Sequence, residues 1–361
     1  MSSPEIGYWL GFHLVPGVSA GRLQTLRACF ESLEAAWHAS PRALQQAGLP
    51  ERVVEALVER RRQLDLGREL ERARRSGARL VALEDDCYPR LLKEMASPPL
   101  VLFVRGELRP EDEQALALVG TRRPTAYGKD VARQLSGELA SHGVTIVSGL
   151  ARGIDRIAHE AALEAGGRTI AVLGNGLDVV YPPEHAPLAD RIAGQGALVT
   201  EFPPGEQPLA KNFPVRNRLI SGLSLGVVVV EAPRKSGALI TANFALDQGR
   251  TVYAVPGSIF SPMSAGTLQL LREGATPIGS AGEILDDLRL EARQLALEAR
   301  TLLPASPEER DILAHLAAGP CHIDELAAQL GLAVSQVSAL VLQMQLKGLV
   351  RHLGAQHYAS A

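Results

Sequence analysis

The sequence predicts an α/β protein: a mainly parallel sheet with helices on both faces, a helical domain before it and a winged-helix domain after it. Three observations carry the prediction. From about residue 114 to 288, short apolar or β-branched runs alternate with helix-like segments, the pattern of parallel strands joined by crossover helices. Residues 5–75 read as helical. The last stretch reads as three helices and a β-wing, PEERDILAHLA, HIDELAAQLG, AVSQVSALVLQMQLKGLV and RHLGAQHYA, with Gly331 parting the second helix from the third.

A chain of 361 residues suits two or three domains. The expected division is a helical domain over 1–78, the sheet domain over 79–288, a linker over 289–305 and the winged helix over 306–361. Hydrophobic residues make up 46%, enough for a sizeable core. The formal net charge of −3 gives no global sign of a polyanion partner, so any such site must be a local patch. Cys29, Cys87 and Cys321 form no metal spacing and fit a reducing compartment. MSSPEIGYWLGF lacks the order of a signal peptide, and no apolar run is long enough to span a bilayer. The expectation is a cytoplasmic protein without membrane insertion.

In the helical domain, Pro16-Gly17 breaks the chain and Ser19 can cap the next helix. This turn resembles half of a helix-hairpin-helix, which offers backbone N–H groups to phosphate; a small bundle with ordinary turns explains the same residues. A second turn places Pro50 near a first helical position. Residues 51–79 read as one Arg-rich helix, with Glu55, Glu59, Glu69 and Glu71 among Arg60, Arg61, Arg62, Arg72, Arg74 and Arg75, a salt-bridged solvated face. Residues 79–110 read as strand, short helix, Pro98-Pro99 turn and strand, a connector that adds edge structure to the sheet.

Strands are expected at 115–119, 144–147, 169–173, 197–200, 227–230 and 252–255, and helices at 127–142, 153–166, 184–194, 216–223, 238–249 and 266–274. The first three strands run into glycine-bearing turns: Gly120-Thr121-Arg122, Gly149 to Asp155, and Gly174-Asn175-Gly176. Glycine lets backbone N–H groups approach a ligand, and a helix N-terminus behind the turn favours an anion. Ligands of such sheets bind outside the carboxyl ends of the strands. The dinucleotide fingerprint fails, because Gly174-Asn175-Gly176 continues to Val179, and no P-loop is present.

The stretch KNFPVRNRLISGLS, residues 211–224, combines Lys211, Arg216 and Arg218 with Phe213. Residues 205–240 hold five cations against two anions, Glu206 and Glu231. Cations interleaved with an aromatic suit a phosphate-and-base ligand; a solvated basic turn over a core phenylalanine is the competing reading. No activated nucleophile, HExxH, GxSxG or paired-cysteine site is present, so no enzyme activity and no cofactor are expected. His159 reads as structural, Asp155 and Asp178 as caps or turn residues, and Ser236 as an N-cap beside Lys235, which can meet a phosphate. In residues 306–361, Arg310, Lys347 and Arg351 face five acidic residues. A duplex reader needs phosphate-neutralising cations, so a protein-contact or regulatory module is the better reading of the winged helix.

Taken in order, DDCYPRLL (85–92), PPLVLFVRG (98–106), VGTRRPTAYG (119–128), SGLARGIDRIAH (148–159), TIAVLGNGLDVVYPPEH (169–185), EFPPG (201–205), FPVRNRLISGLS (213–224), SGALITA (236–242) and GRTVYAVPG (249–257) resemble the DprA/Smf family of DNA-processing proteins. The resemblance implies an extended Rossmann-like domain that binds single-stranded DNA, protects incoming strands in natural transformation, helps load the RecA recombinase, acts as a homodimer and turns over no substrate. It also implies that Arg122 contacts phosphate in a pocket shaped by Gly120 and Thr121. Arg168 occupies a usually basic, DNA-linked position, and Lys211, Phe213, Arg216 and Arg218 form the other wall. Arg152 and Lys235 follow from charge and position. Gly266-Thr267-Leu268-Gln269 lacks the asparagine usual in the family at this turn. Charge reversal at Arg122 or at Arg216 is expected to abolish binding without unfolding. A net-negative chain holding DNA also favours cooperation between protomers. Two other function classes stand beside this one, a Rossmann-like nucleotide hydrolase or phosphoribohydrolase and a winged-helix transcription regulator.

Overall fold

The computed structural model describes residues 5–289, 307–316, 319–346, 349–354 and 356–360, in two compact units, Met1–Ala281 and Gly282–Ala361. The linker expected over 289–305 lies, Arg289 apart, outside the described residues.

The first unit opens with helices α1 (Ile6–His13), α2 (Ala20–Cys29), α3 (Leu33–His38), α4 (Pro41–Gln46), α5 (Glu51–Gln63) and α6 (Leu66–Arg75). Ser19 caps α2 through the N–H of Arg22. The single helix expected over 51–79 is instead two. The chain is extended at Leu64, and the Asp65 carboxylate accepts the N–H of Arg68 at 3.1 Å, so an N-cap inside the Arg-rich run starts a new helix. Arg60 and Arg61 are not wholly solvated: they reach the carbonyls of Leu14 and Ala39. Trp9, Phe12 and Trp37 pack in one cluster with Leu80, Phe103, Ala171 and Leu198, so the helices and one face of the sheet share a core.

The sheet strands are β1 (Arg79–Ala82), β2 (Val101–Gly106), β3 (Ala115–Val119), β4 (Thr145–Ser148), β5 (Thr169–Val172), β6 (Ala197–Thr200), β7 (Gly226–Val229), β8 (Thr251–Ala254) and β9 (Thr276–Pro277). Their order is β1-β2-β6-β5-β4-β3-β7-β8-β9. From β6 to β9 all neighbours are parallel; β1 and β2 add an antiparallel edge. The intervening helices are α7 (Arg90–Lys93), α8 (Ala126–Ser141), α9 (Ile154–Glu164), α10 (Ala186–Gln195), α11 (Asn212–Gly222), α12 (Gly237–Asp247) and α13 (Ala265–Arg272). Every residue of β3 to β7 is buried, as expected of parallel strands covered on both faces. Strand order runs outward from β3 to β6 and then returns to the other side of β3 at β7. That reversal opens a crevice beyond the carboxyl ends of β3 and β7.

The second unit contains α14 (Pro307–Leu316), α15 (Ile323–Leu330), α16 (Val334–Leu346) and a small sheet of β10 (Cys321–His322), β12 (His357–Ser360) and β11 (Val350–Gly354), in that order. Ile312, Leu326, Val337, Val341 and Met344 form its core. This is a winged-helix fold. Its third helix carries no charged side chain. Among the described residues no single helix is long and apolar enough to cross a membrane, and no group of three or more His, Cys, Asp or Glu is placed to hold a metal ion.

Candidate nucleic-acid interface

A cleft of about 590 Å³ occupies the crevice at the carboxyl ends of the strands. Its walls come from Gly120, Thr121 and Arg122 after β3, Ala151 and Asp155 after β4, Tyr181, Phe213 and Arg216 of α11, and Lys235 to Ala238 at the start of α12. Six of the ten residues singled out in the sequence meet here: Gly120, Thr121, Arg122, Phe213, Arg216 and Lys235.

The helix expected over 216–223 begins earlier, at Asn212, with Lys211 as its N-cap, and takes in the residues for which a basic turn is the competing reading. Residues two apart on a helix point to different sides, and this splits its arginines. Arg216 turns inward and is 4% exposed. Its Nη1 donates to the carbonyl of Gly149 at 2.6 Å and also to that of Val172, and its Nε donates to Asn217 Oδ1 at 3.2 Å. Burial lowers its pKa to about 10, with Asp155 opposing the shift. Asp155 in turn has its pKa raised by burial and lowered by Arg216. Arg216 is thus a buried cation that fastens α11 to the ends of β4 and β5 from beneath the cleft. Arg218 turns away from the cleft to Glu201 and the carbonyl of Ser97.

Phe213 has two guanidinium groups near its ring. Arg122 stands 5.7 Å from its ring centroid and Arg216 stands 5.8 Å away. Both separations fall within cation–π range. Tyr181 adds a tilted ring contact at 5.7 Å. Arg122 is exposed, so one ring is in reach of a buried cation and of a cation in solvent.

The turn glycines also make room inside the protein. A Cβ at Gly149 would collide with the Arg216 guanidinium, and one at Gly120 with Ile154. Gly174 makes room for the Phe213 ring. These glycines accommodate the protein's own side chains at close range. Two of the helix N-termini are also already occupied by acids. The buried Glu231 carboxylate, at the end of β7, accepts Thr125 N–H at 2.9 Å and Thr125 Oγ1–H at 2.6 Å, at the start of α8. A Cβ at Gly128 would strike that carboxylate. Asp155 takes the first turn of α9 and accepts Ala151 N–H at 3.3 Å. The N-terminus of α12 also opens onto the cleft; there Ser236 accepts Ala238 N–H and Lys235 is exposed. An anion at that position meets both the helix dipole and a lysine.

The remaining candidates lie elsewhere. Arg152 is half-exposed and paired with Glu184 at 2.6 Å. Arg168 sits just before β5, at the end of the sheet opposite the cleft, where Asp112 holds it through both oxygens at 2.9 and 2.8 Å. Lys211 is exposed at the start of α11 but does not line the cleft. Among the described residues, no ion pair engages Arg122, Arg123, Lys211, Arg234 or Lys235. Sequence reasoning passed over Tyr181, Asn217 and the internal role of Glu231. Asn217 Nδ2 donates to Gly237 O at 3.2 Å and ties α11 to α12. Tyr181 had a signal in its motif, TIAVLGNGLDVVYPPEH, whereas nothing in the sequence links Glu231 to Thr125.

Residues 79–289 match the family model described as DNA recombination-mediator protein A, and residues 296–356 match the DprA winged helix domain. The Protein Smf of Synechocystis sp. is 37% identical over 395 residues, covering 99% of both chains. The X-ray structure of DNA processing protein A from Streptococcus pneumoniae matches with a TM-score of 0.67 and 36% identity, over 78% of this chain and 97% of that one. The DNA processing protein A of Helicobacter pylori, whose structure is described as giving insight into a single-stranded DNA binding mode, matches with a TM-score of 0.53 and 31% identity. That match covers 60% of this chain and 98% of the other.

Proposed function

The chain belongs to the DprA/Smf family of DNA recombination-mediator proteins, and from that premise we propose that it binds single-stranded DNA along the cleft at the carboxyl ends of β3 and β7. The carrying observation is the cluster of Arg122 and Arg216 about the Phe213 ring, with Arg122 exposed to solvent. Arg122 and Lys235 neutralise phosphate, with Lys211 at the flank, while Gly120 and Thr121 set the position of Arg122. Phe213 offers an aromatic surface at the same place. Arg216 supports the wall from below, and Arg152 extends the rim when it exchanges Glu184 for phosphate. Arg168 and Arg218, held by internal acids, serve the frame in this reading.

Guanidinium and ammonium contacts to phosphate carry no base information, so sequence preference is weak. A flexible strand can lay its bases against the aromatic ring in the cleft, as a paired duplex cannot, which favours single strands. In the cell the role is that of a mediator: a cytoplasmic homodimer that protects incoming DNA during natural transformation and passes it to the RecA recombinase, without catalytic turnover. Family membership supports this, as does the uncharged third helix of the winged domain, which suits protein contact better than duplex phosphate.

The test is competition between single- and double-stranded oligonucleotides over a salt series. The expected result is preference for single strands, with log affinity falling linearly against log salt. Equal affinity for duplex, or no salt slope, would overturn the reading.

A further inference from the structure

Next to the cleft, the loop after β8 presents two apolar side chains to solvent: Phe260 is 90% exposed and Ile259 is 78% exposed. Large apolar groups so exposed at the tip of a turn call for a partner, because Gly, Asn, Asp, Ser and Pro are the residues turn geometry favours. The turn is braced. Ser261 N–H donates to Ser258 O at 3.0 Å, and Phe260 N–H donates to Ser258 Oγ at 3.2 Å. On one side the Tyr127 hydroxyl, at the start of α8, donates to Pro256 O at 2.9 Å. On the other, Ala232 N–H donates to Met263 O at 2.8 Å and Ala232 O accepts Gly266 N–H at 2.7 Å. Ala232 directly precedes Pro233 and Lys235 of the cleft wall. The loop is therefore fixed to both cation-bearing segments that flank it.

The charge around the loop selects the occupant. Residues 122–133 carry Arg122, Arg123, Lys129 and Arg133 against Asp130 alone, Arg234 and Lys235 lie on the other flank, and residues 256–264 carry no charge. An exposed ring on a rigid turn between two groups of cations matches a strand that puts phosphates on the cations and a base on the ring. We infer that Phe260, with Ile259 beside it, is a base-stacking site that extends the single-strand track from the cleft across the end of β8. This rests on the reading of the cleft as a single-strand site and adds a second point of contact to it.

The experiment compares full-length wild type with Phe260→Ala and Phe260→Trp on oligothymidylates of 6 and 20 nucleotides and on a 20-nucleotide strand made abasic throughout. Phe260 lies in solvent, so neither variant should change thermal stability. The expected result is an affinity loss of about fivefold or more for the Ala variant on the 20-mer, the lower end of what one base stacked on an aromatic is worth. The Ala variant should match wild type on the abasic strand, and the Trp variant should keep its affinity with its fluorescence quenched by DNA. Wild-type affinity of the Ala variant on the 20-mer, while Arg122→Ala still weakens binding, would overturn the stacking site and leave the cleft reading intact. An Ala variant that binds DNA normally but changes its oligomeric state would assign the patch to protein contact and overturn the inference as well. If wild type bound none of these strands, both readings would fall.

Discussion

The exposed guanidinium of Arg122 stands 5.7 Å from the ring centroid of Phe213, with no ion pair to hold it among the described residues. It is thus placed beside the ring without being neutralised by an acid, which fits it for the phosphate contact proposed above. Arg122→Ala should weaken single-strand binding by about tenfold or more, the worth of one hydrogen bond to a charged group. The salt slope should shrink by about 0.7. Fluorescence anisotropy over a salt series reads both quantities, and the thermal midpoint should not move. A loss of affinity with an unchanged slope would remove Arg122 from the phosphate contacts.

Arg216 should behave in the opposite way. It is buried, with its hydrogen bonds going to backbone carbonyls of the sheet ends and to Asn217. Removing one member of a buried charged network costs about 3–5 kcal/mol. Arg216→Ala should show that loss in urea unfolding, and Arg216→Glu, which sets a second carboxylate near Asp155, should fail to fold. Charge reversal at Arg216 is therefore not the separable binding test that the sequence suggests; Arg122 is. A soluble Arg216→Glu protein with wild-type stability would contradict this.

Gly128 and Glu231 should be coupled. Gly128→Ala forces a methyl onto the Glu231 carboxylate, an overpacking cost of about 1–3 kcal/mol. In a Glu231→Ala background the same substitution should cost less, although the two hydrogen bonds from Thr125 to Glu231 are then lost. A double-mutant cycle measures the difference; strict additivity would show that the two residues do not meet.

His159 gives the fold a pH dependence. It is fully buried and its Nδ1 lies 2.6 Å from Thr169 Oγ1. That hydroxyl donates its own proton to Ile146 O, so Nδ1 must carry the hydrogen and Nε2 stays bare. Nε2 has no partner among the described residues, and burial, with His185 and Arg216 adding to it, lowers the pKa to about 3. The unfolded chain therefore binds one more proton than the native state between about pH 6.5 and 3. This contribution is fully present above pH 6.5 and is lost as pH falls, by up to about 1.4 kcal/mol per unit. Asp155, with its pKa raised by burial, acts with opposite sign, losing stability as pH rises above the ordinary carboxylate range. Urea midpoints between pH 7 and 5 should decline in wild type and decline less in His159→Asn. Equal slopes would mean that His159 is not the group responsible.

The alternation of apolar runs and helical segments placed the six strands from β3 to β8 to within a residue or so, because parallel strands buried on both faces leave a signal in every residue. It also put the glycine turns at one edge of one sheet, and the order of motifs pointed to the family. The sequence did not show the break at Asp65, since the Arg-rich run has helical character on both sides of it.

What the sequence determined by itself was the architecture and the edge at which a ligand would sit, because both follow from local periodicity. The tertiary structure decided which charges are available. Arg216 and Arg218 are two residues apart in one motif, yet helical geometry sends one under the cleft and the other to Glu201. Glu231 counts against the basic patch in sequence, but it is buried at the start of α8, 106 residues from Thr125. The availability of a charge depends on burial and on partners brought in from distant segments. Local sequence encodes neither.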